Sequence, residues 1–96
     1  DKPNPDKELV PVAWTKTYTG EKGKTTRVFT TTMGHSFDLH SEGFRRLLVN
    51  ACYWALEMEE QIPPKSKVDF VGQYKPNKIG MGKHARGLTP SDHELP

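Results

Sequence analysis

Two stretches near the start of the chain show the alternating pattern that is typical of β-strands. Val12, Trp14, Lys16 and Tyr18 alternate with Ala13, Thr15 and Thr17. Residues 27–32 form a second stretch, which is rich in β-branched and aromatic side chains. Gly20 and Gly23 lie between the two stretches among charged residues, where a turn needs backbone with positive φ. The pattern predicts two strands paired as an antiparallel hairpin, which Met33 and Gly34 close.

A period of 3.6 residues follows the hairpin and predicts an amphipathic helix. Ser41 fits an N-cap, and Glu42 places a negative charge at the positive end of the helix dipole. The apolar face consists of Phe44, Leu47, Leu48, Ala51, Trp54, Ala55 and Met58, and the polar face of Arg45, Arg46, Asn50, Glu57 and Glu60. Pro63 and Pro64 are predicted to end the helical region, because proline lacks an N–H and clashes with the preceding turn.

The apolar face of this helix is broad enough to cover a sheet. A two-stranded hairpin is marginal by itself and offers too little surface to receive such a face. We therefore expect the remaining strands of the sheet to lie outside this chain. The chain also begins DKPNPDKELV without an initiator Met, which favours a true N-terminus elsewhere.

The rest of the chain has few large apolar residues. Residues 68–71 are predicted to form a short extended piece, and residues 72–96 contain four glycines and three prolines. Such a segment does not sustain a packed element of its own. The predicted organisation is a polar leader at 1–10, part of an α/β domain at 11–71 and an irregular tail at 72–96.

Composition excludes several functional classes. The chain has 96 residues, 33% of them hydrophobic, and a net charge of +2 with mixed signs. This charge gives no broad field toward nucleic acid, and no apolar run approaches the ~20 residues of a membrane span. We expect neither a nucleic-acid nor a membrane partner. Cys52 is the only cysteine, which excludes an internal disulfide, and it is predicted to be a packed core thiol.

The tail permits a further interpretation as a basic segment that binds single-stranded nucleic acid. Its basic residues are Lys75, Lys78, Lys83, His84 and Arg86, interleaved with Tyr74 and Met81. The recognisable fold signature and the more basic face that a specific nucleic-acid module needs are not found in it. The histidines lack the spacing that a zinc site requires, so neither a metal nor a cofactor is predicted.

Three sequence signatures occur in order over residues 11–56. They are PVAWTKTY, RVFTTTMGH and EGFRRLLVNACYWAL. Together they resemble the closing segment of the ThuA-like (trehalose-utilization) domain family. The later VGQYKPNKIGMGKH resembles the tail of some bacterial members, which read Y-K-P-x-x-x-G-x-G-G, although Lys83 stands where that pattern has its last glycine.

The resemblance implies an α/β fold similar to class I glutamine amidotransferases, a flavodoxin-like three-layer sandwich. This chain would be a C-terminal fragment of it, a β-hairpin followed by an amphipathic helix and an irregular tail. The implied role is in the utilization of trehalose or a related sugar. The implied partners are a small-molecule sugar or sugar derivative and the remainder of the parent domain. No catalytic residue is assigned, because the cysteine that amidotransferases need is absent from this chain.

Five residues are candidates for ligand binding: His35, Asp38, Trp14, Tyr18 and Arg27. His35 follows the second strand, where α/β folds gather ligand-binding side chains, and the amidotransferase histidine occupies a comparable place. A turn histidine bonded to a backbone carbonyl is the alternative. Asp38 is interpreted as an acceptor for sugar hydroxyls, as an acid/base partner of His35, or as a helix cap.

The other three candidates lie on the predicted strands. Trp14 and Tyr18 suit an aromatic platform for a carbohydrate ring, and a core position is the alternative for Trp14. Arg27 suits a carboxylate or phosphate, and a cross-strand surface partner is the alternative. Arg45 and Arg46 are predicted to meet solvent, Glu42 or Glu57, and His40 is predicted to be exposed.

Overall fold

The computed structural model describes residues 5–78 and 80–95 of the chain. Residues 1–4 of the predicted leader, and residues 79 and 96 of the predicted tail, lie outside the described residues. The chain divides into two structural units, Asp1–Met33 and Gly34–Pro96. No helix in the described part of the chain has the length and apolar character needed to cross a membrane.

The first unit is a two-stranded antiparallel hairpin. Its strands are β1 (Ala13–Thr19) and β2 (Thr25–Thr31). The N–H of Gly20 donates to the carbonyl of Lys24 at 2.9 Å, and Gly23 has a φ of +77°. Glycine is needed at that φ because a Cβ would clash with the backbone. The predicted hairpin and its turn are confirmed.

The register of the hairpin sorts the strand residues onto two faces. Directly opposed residues share a face, and residues two apart on one strand share it as well. One face carries Trp14, Lys16 and Tyr18, which lie opposite Thr30, Val28 and Thr26. Arg27 lies opposite Thr17 on the other face. Trp14 is 39% exposed and Tyr18 59% exposed.

The second unit begins with a 3-10 helix, Ser36–His40, and continues with the α-helix α1 (Glu42–Ala55). The hydroxyl of Ser41 accepts the N–H of Phe44 at 3.2 Å, so the predicted N-cap is confirmed. A hairpin followed by one amphipathic helix gives the chain mixed α/β character, as predicted.

The end of α1 differs from the prediction. The helix stops at Ala55, well before Pro63, and a short 3-10 helix follows at Glu59–Gln61. The N–H of Met58 donates to the carbonyl of Tyr53, and Glu57 has a left-handed φ of +59°. This is the Schellman arrangement that terminates helices, with glutamate where glycine is usual. The prolines therefore do not set the helix end.

Residues 66–70, which we call the returning segment, pack along α1. The backbone carbonyls of Ser66 and Val68 accept hydrogen bonds from Arg46 and Arg45, which lie on the predicted polar face of α1. Ser66 and Val68 are buried, together with Phe44 of α1. On the predicted apolar face of α1, Phe44 is buried, whereas Leu47 and Ala55 are exposed.

Apolar surface is exposed. Among the described residues only Phe44 and Val68 are buried apolar side chains, whereas Leu47 is 37% and Leu56 70% exposed. The described residues therefore lack a core of ordinary size.

A second capping motif lies near the C-terminus, at the 3-10 helix Pro90–His93. Two hydrogen bonds from Thr89 lower the pKa of Asp92. The larger cause is the backbone N–H of Thr89, which lies 2.7 Å from the Asp92 carboxylate, and the second is the Thr89 hydroxyl at 3.0 Å. Because the pKa of Asp92 is lower in the folded turn than in the unfolded chain, the ionised carboxylate stabilises this turn at pH values above the unfolded pKa. That contribution is lost as the pH falls through the folded pKa.

Replacing Thr89 by valine is expected to raise the pKa of Asp92 part of the way to its ordinary value. Valine removes the hydroxyl donor but retains the backbone N–H, which is the larger cause of the depression. Nuclear magnetic resonance (NMR) titration of the Asp92 carboxyl measures the change. Thr89→Ser keeps the hydroxyl and is the matched control. Equal pKa values in the valine and serine variants would refute this assignment of the hydroxyl.

Candidate functional site

The turn that carries His35 is held by reciprocal caps. The Nδ1 atom of His35 accepts the N–H of Phe37 at 3.0 Å. The carboxylate of Asp38 accepts the N–H groups of Gly34 at 3.1 Å and His35 at 3.0 Å. A negatively charged acceptor satisfies backbone donors that the first turn of a helix leaves unpaired. Asp38 is thus a cap of the 3-10 helix, one of the three roles that its sequence position suggested.

This capping fixes the chemical character of His35. A ring nitrogen that accepts a hydrogen bond carries no proton, so the neutral imidazole has its proton on Nε2. The Asp38 carboxylate bonds the backbone N–H of His35 and not its ring. The structure therefore presents His35 as an oriented Nε2–H donor, not as the acid/base partner of Asp38.

Five rings form an aromatic cluster around this turn: His35, Phe37, His40, Phe70 and Tyr74. Centroid distances are 5.3 Å for His35 to Phe37 and 5.8 Å for Phe37 to His40. His40 lies edge-on to Tyr74 at 5.5 Å, and Tyr74 stacks on Phe70 at 5.0 Å. These separations are those of attractive aromatic pairs. The cluster links the turn to the segment that follows α1.

Arg45 ties three parts of the second unit together. Its Nε donates to the carbonyl of Val68 at 2.8 Å, and one terminal nitrogen donates to the carbonyls of Leu39 at 2.8 Å and His40 at 3.0 Å. Its guanidinium lies 4.1 Å from the centroid of the Phe70 ring. A planar fork of donors suits several carbonyls at once and also stacks on an aromatic face. We call this arrangement the Arg45 clamp.

Arg46 has a simpler role. It forms an ion pair with Glu42 at 3.5 Å, as predicted for residues one turn apart. It also donates to the carbonyl of Ser66 at 3.1 Å, and the Ser66 hydroxyl contacts Asn50 at 3.2 Å. These bonds hold the first residues of the returning segment.

Tyr74 and Ser36 join the tail to the turn. The Tyr74 hydroxyl donates to the carbonyl of Ser36 at 2.5 Å, and the Ser36 hydroxyl donates to the carbonyl of Asn77 at 3.0 Å. At least this part of the predicted irregular tail is therefore attached to its own unit.

The candidates from the sequence fall into separate groups. His35 and Asp38 lie together in the turn of the second unit. Trp14 and Tyr18 share one face of the hairpin in the first unit, and Arg27 lies on its opposite face. Within the hairpin, the two aromatic candidates thus share a face that Arg27 does not.

An open apolar cleft of about 250 Å³ lies along α1, nearer its C-terminal end than Arg45 and Arg46. It is lined by Val49, Cys52, Tyr53, Leu56 and Met58. The prediction of a packed Cys52 is wrong, because its side chain is exposed in this cleft. Cys52 lies about two turns beyond Arg45 on the same side of α1, past the point where Arg45 and Arg46 bond the returning segment.

The site also includes four residues that were not among the five candidates from the sequence, namely Phe37, Phe70, Tyr74 and Arg45. Phe70 and Tyr74 stand four apart in a segment that is otherwise poor in large apolar residues, which was the available signal. Among the described residues, no group of three or more His, Cys, Asp or Glu is arranged to hold a metal.

Comparison with known proteins adds no family assignment. No protein-family model matches the chain, and no curated protein or solved structure is significantly similar to it.

Proposed function

We propose that this chain is the closing segment of a ThuA-like domain with a flavodoxin-like fold, in which it supplies one wall of a sugar-binding pocket. The resemblance over residues 11–56 motivates the proposal. The observation that carries it is the capped turn after β2, which presents an oriented Nε2–H of His35. Ligand-binding side chains of α/β domains gather beyond the carboxyl ends of strands.

The chemistry of the turn suits a sugar. An imidazole N–H donates well to a hydroxyl or carbonyl oxygen of a monosaccharide, a disaccharide or a keto derivative. Phe37 is 39% exposed beside His35, so its ring offers apolar area of the kind that covers a sugar's C–H face. Trp14 and Tyr18 remain candidates for a second platform, and Arg27 for a carboxylate or phosphate. The proposal concerns binding and assigns no reaction.

The need for a parent domain follows from exposed surface. Leu47 on the predicted apolar face of α1 and Leu56 at its end are exposed, and the described residues bury only two apolar side chains. Missing strands and helices of a three-layer sandwich would cover both the hairpin and α1. The remainder of the parent domain is therefore the first partner of this chain.

Replacing His35 is expected to weaken sugar binding by about tenfold in the intact protein, since one hydrogen bond to the ligand is lost. His35→Asn is the informative variant, because its side-chain oxygen retains the capping acceptor but lacks the Nε2–H. Titration calorimetry with trehalose, glucose and their keto derivatives measures the affinity. His84→Ala, at an exposed tail position, is the control.

Two outcomes contradict this function. If the intact protein binds none of these sugars, a sugar pocket is excluded. If the His35 variant, and an Asp38→Ala variant beside it, bind with unchanged affinity, the pocket lies elsewhere. The second result favours a non-catalytic interaction module of the same fold. The exposed apolar cleft at Cys52 is the observation that supports that alternative.

A further inference from the structure

We propose that Tyr74 is a positioning residue that sets the tautomer of His35 through a single peptide group. The proposal rests on the proposed function, because His35 is taken as the residue that meets the sugar. It adds a residue from the predicted tail to the site.

The path consists of two hydrogen bonds in series. The Tyr74 hydroxyl donates to the carbonyl oxygen of Ser36. The N–H of the same peptide group belongs to Phe37, and it donates to Nδ1 of His35. Hydrogen bonds in a chain polarise one another, so a donor at the carbonyl strengthens the N–H as a donor. Tyr74 thereby favours an unprotonated Nδ1 and a proton on Nε2.

The surrounding contacts hold this path in place. The Ser36 hydroxyl donates back to the carbonyl of Asn77, so the two segments are joined at two points. The Tyr74 ring stacks on Phe70 and lies edge-on to His40. The Arg45 clamp fixes the carbonyl of His40 and the ring of Phe70. These contacts hold the Tyr74 hydroxyl against the carbonyl of Ser36.

Wild-type protein provides the first test. In alkaline buffer, the ¹⁵N shifts of the His35 ring are expected to show the Nε2–H tautomer in excess. A predominant Nδ1–H tautomer would overturn the proposal without any variant.

Tyr74→Phe provides the second test. Phenylalanine keeps the ring contacts and removes only the hydroxyl. The Nε2–H tautomer is expected to lose population, and trehalose binding is expected to weaken by less than the roughly tenfold of His35→Asn, because the hydroxyl only polarises the peptide group. Asn77→Ala is the matched control, because the Ser36 hydroxyl bonds the Asn77 backbone and not its side chain.

The two readouts separate two failures. Unchanged His35 ¹⁵N shifts in Tyr74→Phe, with the Phe70 and His40 resonances intact, overturn the positioning role. Unchanged sugar binding in His35→Asn overturns the proposed function, while the tautomer measurement still decides the role of Tyr74.

Discussion

Replacing Arg45 by alanine is expected to release residues 66–70 from α1. The Arg45 clamp makes three hydrogen bonds to backbone carbonyls and one contact with the Phe70 ring. Its loss is expected to cost about 2–3 kcal/mol, since charged donors are worth more than neutral ones and the carbonyl of buried Val68 loses its partner. ¹⁵N relaxation of residues 66–70 measures the release as a fall in order parameter below about 0.6.

Two further variants sharpen this test. Arg45→Lys keeps the charge but not the planar fork, so it is expected to retain only part of the order. Arg86→Ala removes the same charge from an exposed tail position and is expected to change nothing. The clamp acts locally, so the effect is visible even where global unfolding is not cooperative. Order parameters in Arg45→Ala equal to those of Arg86→Ala would show that the clamp does not hold the segment.

Local features were predictable from the sequence. The hairpin depends on alternation and on glycine at the turn, and the start of α1 depends on Ser41 as N-cap; all are encoded within a few residues. The end of α1 was not predictable in this way. Glu57 occupies the left-handed position where glycine is the usual signal of a helix end. Without that glycine, the predicted end of the helical region fell at the prolines downstream.

The candidate site was predictable only in part. His35 and Asp38 stand in a short strand-to-helix connection, and their proximity follows from sequence. Arg45 and Tyr74 reach their partners across 23 and 38 residues, through carbonyl groups that every residue carries. Side-chain pattern contains no information about which carbonyl is chosen. Arg45 therefore looked like a solvated surface residue.

The free chain is expected to unfold without a sharp cooperative transition. Cooperativity requires a shared apolar core, whereas only Phe44 and Val68 are buried apolar residues in the described part of the chain. With so few buried apolar side chains, α1 is expected to lose mainly local contacts on heating. Extension by the preceding part of the proposed parent domain is expected to restore cooperative unfolding, because further layers of that domain would bury Leu47 and Leu56.

Differential scanning calorimetry of the free chain tests the central claim most directly. A chain of this length with a complete core absorbs about 65 kcal/mol at its midpoint. The account predicts a broad transition with less than about a third of that enthalpy. A single sharp transition with an enthalpy near the full value, equal to its van't Hoff enthalpy, would contradict the claim that this chain is one part of a larger domain.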